Sequence, residues 1–358
     1  MDKTALVVRI LACPDCKCDL DGDLACIRCG RFLVPEEDGI IDALPATMGA
    51  DRHTRDQLRF EIEREGPGTD ADSEKIVLYE RAFHDEQAAY YDKLFADPLP
   101  LGEYYRHLVR RQIHRYIRQQ EFVVDLCCGT GKSSMQLLEQ RLFVAAFDVS
   151  REMLRLYKRK CDAKGFENVV FINADATRPP LRARSCGAIT IVGGLHHIQE
   201  QTACMEACRD ALAEDGVLIL HEPLKSGRTS RAACILEFAY AVTDPHRLWN
   251  AARNRLGLRR SRAVQGDREP PLADFTPYER PFTSAGELLR LIPPELQPVA
   301  LRSQGSLSFR TFAPYLQGPI GRPLAALIVH LDDWLARRAD DWTGDALFAV
   351  FQKSTVAH

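Results

Sequence analysis

Five short apolar runs, separated by segments long enough to form helices, constrain the fold of this chain more than any other feature. They occupy residues 122–126, 143–147, 168–172, 188–192 and 217–221. Such runs are typical of strands buried on both faces of a parallel sheet, with helices crossing over between them. Residues 296–303 and 346–352 are candidates for two further strands, the second as a hairpin partner at an edge. The sequence therefore predicts an α/β fold with a doubly wound, mostly parallel, seven-stranded sheet.

Polar or glycine-containing segments follow each of these runs. The first run leads into the loop Cys127–Gly131, the second ends at Asp148, and the third leads to Asp175. The fourth opens into the segment GGLHH at 193–197, and the fifth ends at His221. Ligands of doubly wound sheets bind outside the carboxyl ends of the strands, where an acid after the second strand accepts hydrogen bonds from ribose hydroxyls. We therefore expect these residues to form one nucleoside-binding site.

The glycine loop differs from the dinucleotide fingerprint G-x-G-x-x-G, because Ser134 stands where the third glycine would be. Instead, the order VVDLCCGTGKSS, AFDVS, NADAT and GGLHHI resembles that of class I S-adenosylmethionine-dependent methyltransferases of the type 11-like group, over about residues 75 to 222. The Cys127-Cys128 pair departs from the family, many members of which have a glycine in this loop.

The resemblance implies S-adenosylmethionine as cofactor and assigns residues to its parts. Asp125, Gly129 and Gly131 would shape the methionine pocket, Asp148 would bind the ribose, and Asp175 with Ala176 would flank the adenine. The stretch FHDEQAAYYDKLF is similar to the helical cap that covers the cofactor in many members. The predicted cofactor-binding residues are thus Asp125, Cys127, Gly129, Gly131, Asp148, Val149, Asp175, Ala176, Gly193 and Tyr91.

Two CxxC pairs near the start of the chain predict a metal site. Cys13 and Cys16 are followed after nine residues by Cys26 and Cys29, a spacing that can place four thiolates around a structural zinc ion. Disulfides or a redox dithiol are the alternatives, and Cys18 is a fifth cysteine that could replace Cys16. The segment also resembles the zinc ribbon of bacterial ribosomal RNA guanine methyltransferases. A similar ribbon occurs in the small activator subunit of tRNA and protein methyltransferases.

These features divide the chain into six segments. They are a zinc ribbon (1–45), a linker (46–73), a helical cap (74–120), the cofactor-binding core (121–222), a helical substrate lid inserted after the fifth strand (223–282), and a C-terminal part that completes the sheet (283–358).

Methyl transfer from a sulfonium requires alignment of the acceptor, and a hydroxyl or ammonium acceptor also requires a base. His196 is the leading candidate for this general base and His221 is the second, although both could instead pack or shape the pocket. The Asn/Asp-Pro-Pro-Tyr motif of amino-methylating enzymes is missing, which disfavours adenine N6 or a glutamine amide as acceptor.

Composition separates the remaining classes of function. A net charge of −3 gives no general attraction to nucleic acid, and no apolar stretch is long enough to span a membrane. The scattered cysteines and the absence of a signal peptide predict a cytoplasmic protein. We therefore expect a small-molecule acceptor. The alternatives are a ribosomal or transfer RNA methyltransferase, supported by the ribbon and the basic run 253–262, and a cofactor-binding scaffold without catalysis. The sequence does not reveal the oligomeric state.

Overall fold

The computed structural model describes residues 2–48, 55–65, 70–94, 107–117, 122–224, 278–304 and 346–354, together with Leu327, His330, Leu331 and Trp334. The α-helices in these ranges are α1 (Lys3–Ile10), α2 (Arg55–Glu65), α3 (Asp70–Leu94), α4 (His114–Ile117), α5 (Ser134–Leu138), α6 (Arg151–Lys164), α7 (Gln201–Ala211) and α8 (Ala285–Leu289). A π-helical turn, Leu108–Ile113, precedes α4, and 3₁₀ turns cover Ala46–Met48 and Leu195–His197.

Eight strands form one sheet in the order β1-β4-β3-β2-β5-β6-β8-β7. They are β1 (Ile40–Asp42), β2 (Phe122–Leu126), β3 (Phe143–Asp148), β4 (Val169–Asn173), β5 (Cys186–Val192), β6 (Leu212–Pro223), β7 (Leu296–Gln304) and β8 (Ala346–Lys353). The sheet is parallel except for β8, which is antiparallel to both β6 and β7. Strands β2 to β8 give the predicted doubly wound sheet, so the predicted fold class is confirmed.

Two details of the sheet differ from the sequence-based expectation. The prediction that residues 346–352 form an edge strand is wrong, because β8 lies between β6 and β7 and β7 occupies the edge. All eight residues from Ala346 to Lys353 pair with β7 or β6, which explains why the first six are buried. The sheet also has an eighth strand, β1, in addition to the seven that were predicted.

The hydrophobic core lies on both faces of the sheet. Along β2, Val124 and Leu126 belong to one buried cluster and Val123 to the other. Because successive side chains of a strand point to opposite faces, a strand with helices on both sides is apolar at nearly every position, and Asp125 is the exception in β2. This accounts for the continuous apolar runs in the sequence.

The N-terminal segment, residues 2–48, is part of this core. Strand β1 pairs in parallel with β4, with Ile41 opposite Ile172, and extends the sheet at that edge. Helix α1 buries Leu6, Val7 and Ile10 in the same cluster as Val124. The segment that carries the two CxxC pairs is therefore packed on the sheet, and it covers the edge that β4 would otherwise expose.

Helices α2 and α3 occupy much of the region between the N-terminal segment and β2. Helix α2 and the start of α3 lie in residues 46–73, for which the sequence predicted a linker. Asp85 of α3 accepts hydrogen bonds from Ser150 Oγ (2.6 Å) and from the backbone N–H of Glu152 (3.2 Å), which fixes α3 at the start of α6. Helix α3 therefore lies beside the carboxyl end of β3.

Other predictions fall outside the described residues. These are the basic run 253–262 and most of the predicted lid, of which the structure describes only 223–224 and 278–282. Among the helices that the structure does describe, none combines the length and apolar character needed to cross a bilayer.

A cluster of ion pairs ties the N-terminal segment to α6. Asp38, in the turn before β1, accepts hydrogen bonds from Arg151 (2.7 and 2.8 Å) and from Arg155 (2.9 Å). Burial alone would raise the pKa of Asp38, but the two guanidinium groups outweigh it and lower the pKa to about 2. A carboxylate with a depressed pKa stabilises the folded state above its unfolded pKa, and this contribution is lost as the pH falls toward its folded pKa.

We expect Asp38→Asn to lower the free energy of unfolding by about 1 kcal/mol at pH 7, after allowance for solvent screening of these partly exposed groups. The difference from the parent should shrink as the pH falls from about 4 toward about 2, where Asp38 becomes protonated. Urea unfolding at a series of pH values measures this. Glu37→Gln, at the exposed neighbouring residue, is the control and should unfold like the parent.

Candidate functional site

The loop after β2 brings the backbone close to the end of β3. Cys127, Gly129 and Gly131 all have positive φ, at 56°, 53° and 78°, so the chain reverses sharply here. A Cβ atom on Gly131 would lie 2.3 Å from the Tyr157 ring, so only glycine fits at this position. The loop leaves room outside the strand ends for a ligand to approach the backbone.

Asp148 lies at the carboxyl end of β3 beside this loop. Its Oδ2 accepts a hydrogen bond from the Gly129 N–H (2.7 Å), and its Oδ1 accepts one from the Ser150 N–H (2.9 Å). Burial raises the pKa of Asp148, whereas these backbone donors lower it. Since each carboxylate oxygen has two lone pairs, each can still accept a bond from a ligand hydroxyl.

Asp175 follows β4 on the adjacent side. Its Oδ1 accepts a hydrogen bond from the Thr177 N–H (2.8 Å), which fixes a tight turn next to Ala176. Both Asp175 and Asp148 are buried, and both lie at the carboxyl ends of neighbouring parallel strands. Two carboxylates spaced along neighbouring strands can bind the two parts of a nucleoside, the ribose and the base.

Glu222 of β6 organises the loop after β5. This side chain is fully buried, and its Oε1 accepts hydrogen bonds from the N–H groups of Gly194 (3.0 Å) and Leu195 (2.8 Å). Its Oε2 lies 2.8 Å from His196 Nδ1. Burial lowers the pKa of His196, but the bond to Glu222 outweighs this and raises it. Glu222 therefore fixes both the backbone of this loop and the orientation of the His196 ring.

A pocket lies between these strand ends and helix α3. Eight of the ten predicted cofactor-binding residues line it, namely Tyr91, Cys127, Gly129, Asp148, Val149, Asp175, Ala176 and Gly193. Gly131 lies behind the loop against Tyr157. Asp125 is also behind the lining, where Thr190 Oγ1 donates to its Oδ1 (2.7 Å) and burial raises its pKa to about 6.

The two predicted catalytic histidines lie behind the pocket lining as well. His196 and His221 are both buried, and neither is among the residues that line the pocket. The neighbouring His197 does line it, with its ring centroid 4.2 Å from that of His196. The 3₁₀ turn Leu195–His197 accounts for this difference, because it directs consecutive side chains to different sides.

Glu80 and His84 of α3 lie beside His197 in the pocket lining. Glu80 Oε2 lies 3.5 Å from both His84 Nε2 and His197 Nδ1. Burial would raise the pKa of Glu80, but the two imidazoles lower it to about 2. Burial also lowers the pKa of His197 to about 4. The pocket is therefore polar where helix α3 meets the turn after β5.

Sequence reasoning did not identify Glu80 and His84 as site residues. The stretch FHDEQAAYYDKLF was expected to cover the cofactor, and it includes His84. The one sequence signal that could have identified them is their spacing, since residues four apart lie on the same face of a helix. Their position beside His197 depends on how α3 packs, which the sequence does not specify.

The four predicted zinc ligands lie close together in the part of the N-terminal segment between α1 and β1. The Sγ atoms of Cys13 and Cys29 are 3.6 Å apart, those of Cys16 and Cys26 are 3.3 Å apart, and those of Cys16 and Cys29 are 3.9 Å apart. The four cysteines are free in the structure, and these distances are close to the ~3.8 Å separation of thiolates around tetrahedral zinc. Cys18 is not part of the cluster.

The fold and the pocket at the strand ends define a Rossmann-like class of protein, with a pocket where such sheets bind their ligands. Comparison with known proteins narrows this class: residues 123–216 match the methyltransferase domain family. This part of the chain is therefore similar to the methyltransferase domain of enzymes, and the cofactor that this family implies is S-adenosylmethionine.

Two curated relatives illustrate the match. A ubiquinone/menaquinone biosynthesis C-methyltransferase, UbiE, from Campylobacter jejuni is 26% identical over 136 residues, which are 36% of this chain and 56% of that protein. A demethylmenaquinone methyltransferase from Clavibacter sepedonicus is 33% identical over 102 residues, which are 28% of this chain and 41% of that protein. The chain thus spans about half the length of the curated relatives that it matches.

Among solved structures, the complex between the Haloferax volcanii Trm112 methyltransferase activator and a methyltransferase contains a similar chain. The identity is 12% and the TM-score is 0.46, and the match covers 78% of this chain and 99% of that chain.

Proposed function

We propose that this protein transfers a methyl group from S-adenosylmethionine to a small-molecule acceptor held between the strand ends and helix α3. The observation that carries the proposal is the pocket itself. Its sheet side carries Asp148, Asp175 and Gly129, and its helix side carries Glu80 and His84. A nucleoside cofactor and a compact acceptor would therefore be held on different sides of one pocket.

The residues on the sheet side fit the cofactor. Asp148 would accept hydrogen bonds from the ribose hydroxyls, and Asp175 would accept one from the exocyclic amine of adenine. The positive φ values of Cys127 and Gly129 turn the chain so that the methionine part can approach the backbone. Asp125 lies behind the pocket lining, and its Oδ2 is buried without a hydrogen-bond partner among the described residues. It would shape the methionine pocket through the loop that follows it.

S-adenosylmethionine supplies a methyl group that is already activated on a sulfonium sulfur. The protein residues therefore have to orient the acceptor and exclude water. Helix α3 borders the pocket on one side, where Lys132 Nζ, beside the glycine loop, lies 4.8 Å from the centre of the Tyr91 ring. The backbone N–H of Arg280 donates to His196 O (2.7 Å), which ties the segment before α8 to the loop after β5. His196 and His221 stay predictions as bases; both lie behind the pocket lining, and a base has to reach the proton of the acceptor directly or through one water molecule.

The acceptor is proposed to be a small molecule because the polar groups that face the pocket lie inside it rather than on an open surface. Glu80 is 5% exposed and is enclosed by the two imidazoles. The names of the two relatives point to quinones as one class of acceptor. A ring with oxygen substituents could contact the imidazoles and the apolar side chains of Ile76 and Val77, which also line the pocket.

The test has two steps. Isothermal calorimetry with S-adenosylhomocysteine should give one saturable site per chain. Labelled S-adenosylmethionine should then transfer label to a component of a metabolite extract freed of RNA, with little change between about 50 and about 200 mM salt. Transfer to total RNA instead, falling by about 1,000-fold over that salt range, would establish the RNA alternative. Absence of any heat with the folded protein would overturn the cofactor assignment.

We also propose that Cys13, Cys16, Cys26 and Cys29 bind a structural zinc ion. The sulfur separations support this, as do the N–H groups of Cys29 and Arg28, which lie 3.5 Å from Cys26 Sγ. Their bonds lower the pKa of the Cys26 thiol to about 6, with the bond from Cys29 the largest cause. All four zinc positions would be filled by protein ligands, so the ion would stabilise the fold and take no part in the reaction.

A further inference from the structure

Three side chains of the pocket lining, where α3 meets the turn after β5, form a cluster of the metal-binding type. Glu80 and His84 lie one turn apart on α3, and His197 approaches from the turn after β5. One donor atom from each of these residues lies within 4.8 Å of the others. Glu279 lies beside this cluster, with its Oε1 3.6 Å from His197 Nδ1. The cluster is separate from the cysteine site, and the methyl-transfer proposal assigns it no ion.

The separations in the cluster suit an ion between the side chains better than direct hydrogen bonds. Glu80 Oε2 lies 3.5 Å from each imidazole, which is longer than a well-formed N–H···O bond. Donors bound to one tetrahedral ion at ~2.05 Å are about 3.4 Å apart. Within the described part of the chain, His197 Nδ1 is buried and has no hydrogen-bond partner.

A neighbouring side chain fixes the orientation of one imidazole. His84 Nδ1 lies 3.3 Å from Oε1 of Gln87, which is 2% exposed. When Nδ1–H donates to this amide oxygen, Nε2 carries the lone pair and faces Glu80. Histidines that bind metals usually donate their other ring N–H to an oxygen in this way, which fixes both tautomer and ring orientation.

We propose that Glu80, His84 and His197 bind a divalent transition-metal ion. Two imidazoles and a carboxylate form a donor set that suits Zn²⁺, Fe²⁺ or Mn²⁺. All three side chains line the pocket that also contains Asp148 and Asp175, so an open coordination position would face the space for the acceptor. Resting here on the proposed function, we infer that the ion orients an acceptor through an oxygen donor, such as a hydroxyl or carbonyl group.

The test uses the full chain with its cysteine site already loaded with zinc. Calorimetric titration with Co²⁺ or Mn²⁺ should reveal one further site per chain. For Co²⁺, the visible spectrum should lack the thiolate charge-transfer band of a cysteine site. Glu80→Gln and His84→Ala should abolish the second site and retain the zinc. Gln87→Leu should keep the second site but weaken it by about 10- to 100-fold. Glu86→Gln, at an exposed carboxylate on the same helix, should bind like the parent.

Two results would overturn the metal proposal. Either the parent takes up no ion beyond the one in the cysteine site, or Glu80→Gln and His84→Ala bind the second ion as tightly as the parent. In both cases the cluster is an ion-pair network around Glu80. Thermal unfolding of each variant shows whether it is folded. Binding of S-adenosylhomocysteine, measured on the same samples, separates the two proposals: a parent that binds this ligand but no second ion contradicts only the metal site, and the reverse contradicts only the cofactor site.

Discussion

Asp148→Ala is expected to weaken the binding of S-adenosylhomocysteine by roughly 100-fold or more. In the proposed complex Asp148 accepts bonds from two ribose hydroxyls, and a hydrogen bond to a charged group contributes about 1.5–3 kcal/mol. Loss of two such bonds corresponds to a factor of roughly 100 to 10,000 in the dissociation constant. The variant also frees the N–H groups of Gly129 and Ser150, which fix the glycine loop and the start of α6. Calorimetry with S-adenosylhomocysteine measures the change.

Two further variants make this result interpretable. Asp148→Asn keeps the size of the side chain and one oxygen acceptor, so it should weaken binding by a smaller factor than Asp148→Ala. Asp162→Asn changes an exposed carboxylate of α6 that pairs with Lys158, and it should bind like the parent. If Asp148→Ala is folded and binds S-adenosylhomocysteine within about three-fold of the parent, the ribose is not held by Asp148.

The central strands and the residues at their ends could be predicted because buried strands have a recognisable pattern of apolar residues in the sequence. A strand covered on both faces needs apolar side chains at nearly every position, and β3 and β4 meet this condition. Asp148 and Asp175 could be predicted as site residues because they follow such strands at their carboxyl ends, where doubly wound sheets bind their ligands. For the same reason, eight of the ten predicted cofactor-binding residues were found to line one pocket.

Other features depend on tertiary packing and could not be predicted. Strand β1 has three residues, too few for a periodic pattern, and it exists because the N-terminal segment docks beside β4. The position of β8 between β6 and β7 depends on the order in which strands pair, which apolar content does not encode. The choice between His196 and His197 as the pocket-lining residue depends on a single 3₁₀ turn. Glu80 and His84 became visible as site residues only once the packing of α3 was known.

Cys26→Ser is expected to release the proposed zinc ion and to lower the thermal midpoint of the protein by on the order of 10 °C. Structural zinc contributes about 10–16 kcal/mol in small zinc-binding peptides, which is comparable to the whole stability of a domain. For a domain of 150–250 residues, each kcal/mol lost lowers the midpoint by about 2–4 °C, so a shift on the order of 10 °C corresponds to about 2.5–5 kcal/mol. This is the part of the zinc contribution that packing of α1 and β1 on the sheet does not replace. The loss should extend beyond the cysteine site, because α1 and β1 belong to the core and cover the edge of β4. Zinc content by mass spectrometry and thermal unfolding measure the two effects.

Cys18→Ser is the matched control, since Cys18 lies between the two CxxC pairs but outside the cluster of four sulfurs. It should keep one zinc ion per chain and unfold within about 2 °C of the parent. None of the described residues of the N-terminal segment lines the cofactor pocket, so Cys26→Ser that is still folded should bind S-adenosylhomocysteine. Retention of stoichiometric zinc by Cys26→Ser, or its loss from Cys18→Ser, would show that the four ligands are wrongly assigned. Loss of zinc without loss of stability would instead show that packing of α1 and β1 alone holds the N-terminal segment on the sheet.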